Sequence, residues 1–344
     1  MINYKIFTVS VLILLPLAIY ADKDISTSST KDVEIKLPKV PEAPKVVKLN
    51  VVNSTSTTDR DIKFSKRVPP NYKTSAERYG ENGVGASLSN SKKMVGSVDK
   101  GRISTYIRAD LIDIKEAKEK LKKIGFEIIS VVPLNKSGLT SIVFTNGELK
   151  KLASKKDVGY LGTLRLLIDP KNKQISINNP LYLAKAFLGK DFNEDIPKKL
   201  LSSLVNEFKG SKNSLDKLKF QLLPNYQFME GMPHFKDYIS VANGSDLKAK
   251  LKGNSNISYI VELPNGSLLA GVKLSDKTMV FIDRIGTNNA GLLPYQLLIE
   301  DNEAKILDPK YYLGLMYPQL SMEGFMSIAM IPASIKKDCE NIFK

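Results

Sequence analysis

The chain has 344 residues, and 51 Lys and Arg against 36 Asp and Glu leave a formal net charge of +15. Its one cysteine, Cys339, excludes an internal disulfide, and its one histidine, His234, confines histidine-based acid–base chemistry to a single site. The surplus of lysine favours anionic partners, although lysines spread along the whole chain also fit a plain solvated surface.

Met1 to Ala21 has the layout of a secretory signal: a positive charge at Lys5, an apolar run from Val9 to Leu17, and a small residue at Ala21. The uncharged stretch from Ile6 to Ala21 is shorter than the roughly 20 residues a helix needs to cross a bilayer. Residues 1–21 are therefore expected to be a signal peptide cleaved after Ala21, with retention as an N-terminal anchor as the alternative. No cysteine near that point invites a lipid anchor, and no later segment is apolar enough to span a membrane. The expected compartment is periplasmic or secreted, which discounts nucleic acid as a partner.

Residues 22–100 form a linker rich in Pro, Ser, Thr and Lys, with Ser26–Thr30 and Ser54–Thr58 on either side of Leu37-Pro38-Lys39-Val40-Pro41-Glu42-Ala43-Pro44. Apolar residues are too sparse there to offset the entropy of ordering, so a disordered arm is expected, either a tether or a docking segment. Gly80-Glu81-Asn82-Gly83-Val84-Gly85 imitates a phosphate loop only in composition, because no strand pattern precedes it and no helix pattern follows.

A first α+β domain is expected over residues 101–210. Ile103–Ala109 alternates as a strand does, Ile114–Ile124 has helical spacing, and Gly125 supplies a C-cap glycine. Strands follow at Phe126–Val132 and Leu139–Phe144, then a short helix over Glu148–Lys155. Strands Leu164–Ile168 and Ile175–Ile177 enclose a turn, Asn179-Pro180 opens the next helix, and Ile196-Pro197 begins the last one. A second α+β domain is expected over 218–344. Its early strands are Tyr238–Val241, Ile257–Val261 and Leu268–Val272, with a helix over Asp246–Leu251 between the first two. Met279-Val280-Phe281-Ile282 reads as strand, where the first domain has a helix.

Three blocks recur in the same order. Leu164-Arg165-Leu166-Leu167-Ile168-Asp169 returns as Tyr295-Gln296-Leu297-Leu298-Ile299-Glu300, and Asn179-Pro180-Leu181-Tyr182 returns as Asp308-Pro309-Lys310-Tyr311. Ile196-Pro197 to Phe208 returns as Ile331-Pro332 to Phe343. A repeat this long is a duplicated domain, each copy large enough for its own core.

Few residues are candidates for chemistry. Cys339 falls opposite Leu204 in the repeat, which favours a small core hydrophobe over a reactive thiol. Tyr182 and Tyr311, with Asn179 and Asp308 before them, recur in place and are the candidate ligand-binding residues; the alternative is core tyrosines with a polar edge. Met229, Met232 and His234 offer a soft ligand set suited to Cu(I), and Met322, Met326 and Met330 lie four apart; the alternative is methionines filling core or contact. A hydrolase would have to be built around His234, in a pocket that holds it beside a Ser or a carboxylate. No Gly-x-Ser-x-Gly, His-Glu-x-x-His or Walker-type loop is present, and Asp169 and Glu300 read as hairpin-end residues.

Leu293-Pro294-Tyr295-Gln296-Leu297-Leu298-Ile299-Glu300, Leu307-Asp308-Pro309, Ser321-Met322-Glu323-Gly324-Phe325-Met326 and Pro332 together resemble domain-of-unknown-function family 302. Gly125-Phe126-Glu127-Ile128-Ile129 and Asn178-Asn179-Pro180 with Ala184 resemble it in the first copy. The resemblance covers 102–344 in two units. It implies small α+β domains that pair, here as an internal pseudo-dimer. Many members carry a cysteine before the Asn-Pro pair; Asn178 and Leu307 stand there in this chain, which puts a thiol role in doubt. The function expected is a non-enzymatic binding or accessory module of the cell envelope, its partner an envelope protein or an anionic envelope component. Copper handling and an unrecognised hydrolase are the alternatives.

Overall fold

A computed structural model describes residues 93–344, all within a compact unit bounded at Phe64–Lys344. The signal segment, the proline-spaced arm up to Lys92 and the Gly80–Gly85 loop lie outside the described residues.

The first strand predicted splits in two. β1 (Arg102–Ser104) pairs with β8 (Lys217–Lys219) in a separate ribbon, and β2 (Tyr106–Asp110) enters a six-stranded sheet. The break at Thr105 lets Ile103 and Tyr106 both be buried, although they lie an odd number of residues apart. Helix α1 (Ile114–Lys123) is capped by Asp113, which accepts from Glu116 N, and ends before Gly125 in the left-handed region at φ +85°. β3 (Glu127–Pro133), β4 (Thr140–Thr145), α2 (Gly147–Leu152), β5 (Leu164–Asp169) and β6 (Gln174–Asn178) follow, then α3 (Pro180–Leu188) and α4 (Asp195–Glu207). β7 (Lys212–Asn213) adds to the edge beside β2.

The second half runs β9 (Ile239–Asn243), α5 (Leu247–Leu251), β10 (Ile257–Glu262), β11 (Leu268–Val272), α6 (Asp276–Met279), α7 (Phe281–Ile285), β12 (Tyr295–Glu300), β13 (Glu303–Ile306), α8 (Pro309–Met316), α9 (Met322–Ser327) and α10 (Ile331–Glu340). The expected strand at Met279–Ile282 is helical instead. Thr278, Phe281 and Ile282 are buried while Val280 stays exposed, so the apolar period is three to four rather than two. That correction gives both halves a helix before the central hairpin.

Both sheets are antiparallel and have the same strand order. The first is β3-β4-β5-β6-β2-β7 and the second β10-β11-β12-β13-β9, so in each the opening strand inserts beside the fifth. Each also bulges at the corresponding point, between Ile128 and Ser130 in β3 and between Ile257 and Tyr259 in β10. The two bulged strands touch, with Ser130 Oγ donating to Ser258 O at 3.0 Å.

Every residue of β5 and of β12 is buried, as required of strands covered on both faces. The two sheets meet closely. A Cβ on Gly162 would lie 2.9 Å from Leu263, so a side chain there would push the layers apart. The seam is polar at its centre. Arg165 Nη2 donates to Pro294 O (3.1 Å), while Gln296 Nε2 donates to Tyr160 O (2.9 Å) and Thr163 Oγ1 (3.2 Å). Buried polar groups cost free energy unless partnered; Arg165 Nη2 and Gln296 Nε2 find partners across the seam, while Arg165 Nε has none among the described residues.

Candidate functional site

Of the sequence-predicted residues, Asn179 does its work as a structural joint. Its Oδ1 accepts from Leu181 N (3.0 Å) and Tyr182 N (3.4 Å), capping α3, and its Nδ2 donates to Gly96 O and Ser104 O, both at 2.8 Å. Asp308 caps α8 by accepting from Lys310 N at 2.8 Å, and burial pushes its carboxyl above the usual range.

Tyr182 is buried on α3 and reaches the far end of α8. A buried helix C-terminus leaves four carbonyls to satisfy. In α8, Leu313 O takes Tyr317 N (2.8 Å), Gly314 O takes the Tyr226 hydroxyl (2.7 Å), Leu315 O takes the Tyr182 hydroxyl (2.7 Å) and Met316 O takes Asn289 Nδ2 (3.1 Å). Tyr311 is buried on α8 itself among Tyr226 and Phe235, and its hydroxyl has no partner among the described residues. The two tyrosines therefore pack into the interior, with their hydroxyls buried as well.

The Met/His segment divides between core and surface. Met229 is buried and Met232 packs on the core from partial exposure. His234 is half exposed, with Nδ1 against Asp237 Oδ2, and its backbone N donates to the same oxygen at 2.9 Å. That N–H bond, ahead of the imidazole contact, holds the Asp237 carboxyl below the usual range. Met326 and Met330 are exposed and belong to no common helix, since α9 ends at Ser327. No group of three His, Cys, Asp or Glu able to hold a metal exists among the described residues. Cys339 is fully buried, and desolvation pushes its thiol far up, so it is a core side chain.

His234 lines a cavity of ≈ 990 Å³. Two further cavities of ≈ 560 Å³ each adjoin it, and all three touch Lys156. Together they form a groove between the Ser154–Val158 loop of the first half and the β12–β13 hairpin and Phe235–Tyr238 loop of the second.

The floor of that groove is an ion network. Lys305, buried on β13, bonds Glu300 Oε2 at 2.9 Å and pairs with Asp157, whose own N donates to Glu300 Oε2 at 3.0 Å. Burial works to lower the Lys305 pKa, but its hydrogen bonds to Asp157 and Glu300 outweigh that, and the net shift is upward. Tyr160 donates to Lys305 O (3.1 Å), and Tyr238 donates to Asp157 O (3.3 Å). At the rim Lys156 pairs with Asp301 at 2.8 Å. Tyr238 stacks on Tyr160 with centroids 6.2 Å apart, and Phe235 stacks on Phe187 at 4.7 Å.

Chemically, the groove offers paired charges, an aromatic wall and, in one ≈ 560 Å³ cavity, the hydroxyls of Ser154, Ser245 and Ser267. The carboxylate expected beside His234 is present as Asp237, but no Ser, Thr or Cys lines the ≈ 990 Å³ cavity. The sequence reading missed Lys156, Asp157, Lys305 and Tyr238. Lys305 had a usable signal: a lysine between Ala304 and Ile306 in a strand must find a partner when buried. The chain matches no family model, and no curated protein or solved structure matches it.

Proposed function

We propose that this chain is an exported cell-envelope module that acts by binding rather than catalysis. Residues 1–21 are its signal and 22–100 its arm, while 101–210 and 218–344 are two copies of a domain similar to family 302, closed as an internal pseudo-dimer. The groove along their seam receives an envelope protein or an anionic envelope component.

The observation that carries this reading is the reciprocity of the seam. In the recurring block Arg165 corresponds to Gln296 and Thr163 to Pro294; Arg165 reaches Pro294, and Gln296 reaches Thr163. Each hairpin-end acid also reaches the other half, Asp169 accepting from Thr287 Oγ1 (2.9 Å) and Glu300 from Asp157 N (3.0 Å), though the donors are one position out of register. Such exchange is the mark of an isologous interface. The shared strand order supports it further.

The test has two arms. Fractionation followed by N-terminal sequencing is expected to find a chain beginning at Asp22 outside the cytoplasm; a cytoplasmic chain beginning at Met1 overturns export. Capture from envelope extract is then compared between the wild-type chain and Lys236→Glu with Tyr238→Ala, and a partner held equally by both rules out the groove.

A second reading rests on the His234–Asp237 pair facing the ≈ 990 Å³ cavity, a pairing that hydrolases use to orient an imidazole. Turnover of an ester or glycoside panel abolished by His234→Ala would replace the binding reading with this one.

A further inference from the structure

The segment from Lys212 to Lys219 and the strand it pairs with make a one-sided basic ribbon. In the β1–β8 register Arg102 lies opposite Lys219, Ile103 opposite Leu218 and Ser104 opposite Lys217. The pleat therefore sends Ile103 and Leu218 into the core, where both are buried, and puts Arg102, Lys217 and Lys219, each half-buried, on the other face with Ser104, which is buried there against Asn213. Lys100 in the preceding turn and Lys212 in β7 are exposed beside them. None of Lys212, Lys217 and Lys219 pairs with an acid among the described residues. The acid within the segment, Asp216, turns inward to Arg108 (3.6 Å) and accepts from Asn289 Nδ2 (2.9 Å), so its charge is spent inside.

Next to Asp216, Leu215 is 93% exposed, more than any other large apolar side chain described. A leucine held in water between lysines costs hydrophobic free energy unless something covers it.

We infer that this ribbon docks the protein on an anionic phospholipid surface. The lysines meet the headgroups, and Leu215 enters the boundary between headgroups and acyl chains, the pairing of basic and apolar contacts by which peripheral proteins lie on membranes. Charge complementarity selects an anionic surface, and the exposed leucine selects a bilayer over a soluble polyanion. The site stands apart from the groove and does not depend on it.

The test is co-sedimentation of the chain lacking residues 1–21 with vesicles of phosphatidylcholine alone or with about one third phosphatidylglycerol. Binding is expected only to the anionic vesicles and is expected to fall as salt screens it. Lys212→Gln, Lys217→Gln and Lys219→Gln together are expected to weaken it about a hundredfold, at about fivefold for each lysine. Leu215→Ser is expected to weaken it at least several-fold. Equal sedimentation with both vesicle types overturns the proposal, as does a triple variant that binds like wild type. Loss of binding in the triple variant with none in Leu215→Ser also overturns it, in favour of a soluble polyanion. Lys212 and Leu215 are exposed and Lys217 and Lys219 half-exposed, and circular dichroism of each variant is expected to match wild type.

Discussion

Tyr182 and Tyr311 occupy the same place after their Asn-Pro and Asp-Pro pairs, yet their hydroxyls meet different fates. The Tyr182 hydroxyl closes Leu315 O, whereas that of Tyr311 is buried with no partner among the described residues. Removing one partner of a buried hydrogen bond costs about 1–3 kcal/mol, while removing an unsatisfied hydroxyl costs nothing comparable. Tyr182→Phe is expected to lose about 1–3 kcal/mol in urea unfolding, and Tyr311→Phe to match or exceed wild type; a larger loss at Tyr311 contradicts the arrangement. Asp308 and Asn179 make a second contrast. Burial raises the Asp308 pKa, so the folded carboxyl binds a proton more readily than the unfolded one. Its contribution to stability is full below the unfolded value near 3.8 and is lost as pH rises through the folded value. Asp308→Asn keeps a good N-cap without the charge. It is expected to equal or exceed wild type in stability at pH 7, and to remove the share of the pH dependence that Asp308 contributes. Cys339 sits under the same burial, and its thiol is expected to react with an aromatic disulfide reagent only at the rate of unfolding.

At the scale of elements, the cap of α3 and the ion network of β13 are the two joints that local propensity does not explain. Asn179→Ala removes the cap and leaves Gly96 O and Ser104 O without their donor, so a loss of about 2–4 kcal/mol is expected in chemical denaturation. Its helix was legible in the sequence, because Asn-Pro before an apolar run names an N-cap and a first-turn proline. The turn after Asp169 and the strands on either side of it were legible for similar reasons of alternation. The ribbon of β1 and β8 was not, since a three-residue strand leaves no periodicity to read. Nor was the helix at Asp276–Met279 and Phe281–Ile285, where branched and aromatic residues favour a strand until burial at helical spacing decides otherwise. The groove was illegible for a different reason. Lys156 and Asp157 lie in one half and Glu300 and Lys305 in the other, 143 residues apart from Asp157 to Glu300, and only the meeting of the two sheets brings the pairs together. Lys305→Met leaves Glu300 buried without its cation, and a loss of about 3–5 kcal/mol is expected in the same measurement.

For the whole molecule, the seam between the two sheets decides whether either half can stand alone. Gly162 lets the layers approach, and Leu263, Leu269 and Leu298 are buried with the remainder of the core. A half released from its partner would expose that apolar layer together with the polar groups of Arg165 and Gln296, which now satisfy each other's sheet. Both penalties act in the same direction. The chain between the halves is itself anchored, with Lys212–Asn213 paired to β2 and Lys217–Lys219 to β1, so an incoming protease finds its exposed backbone chiefly at Lys209 and Gly210. Limited digestion with trypsin is therefore expected to trim the Lys-rich arm and to cut after Lys209, leaving two large fragments that run together on a sizing column, since a tethered pair and a nicked pair share the same buried contacts. Addition of denaturant should separate them and expose apolar surface to a fluorescent dye. Fragments that elute apart in plain buffer, each soluble and folded, would mean that the seam contributes little and that the two sheets merely lie side by side.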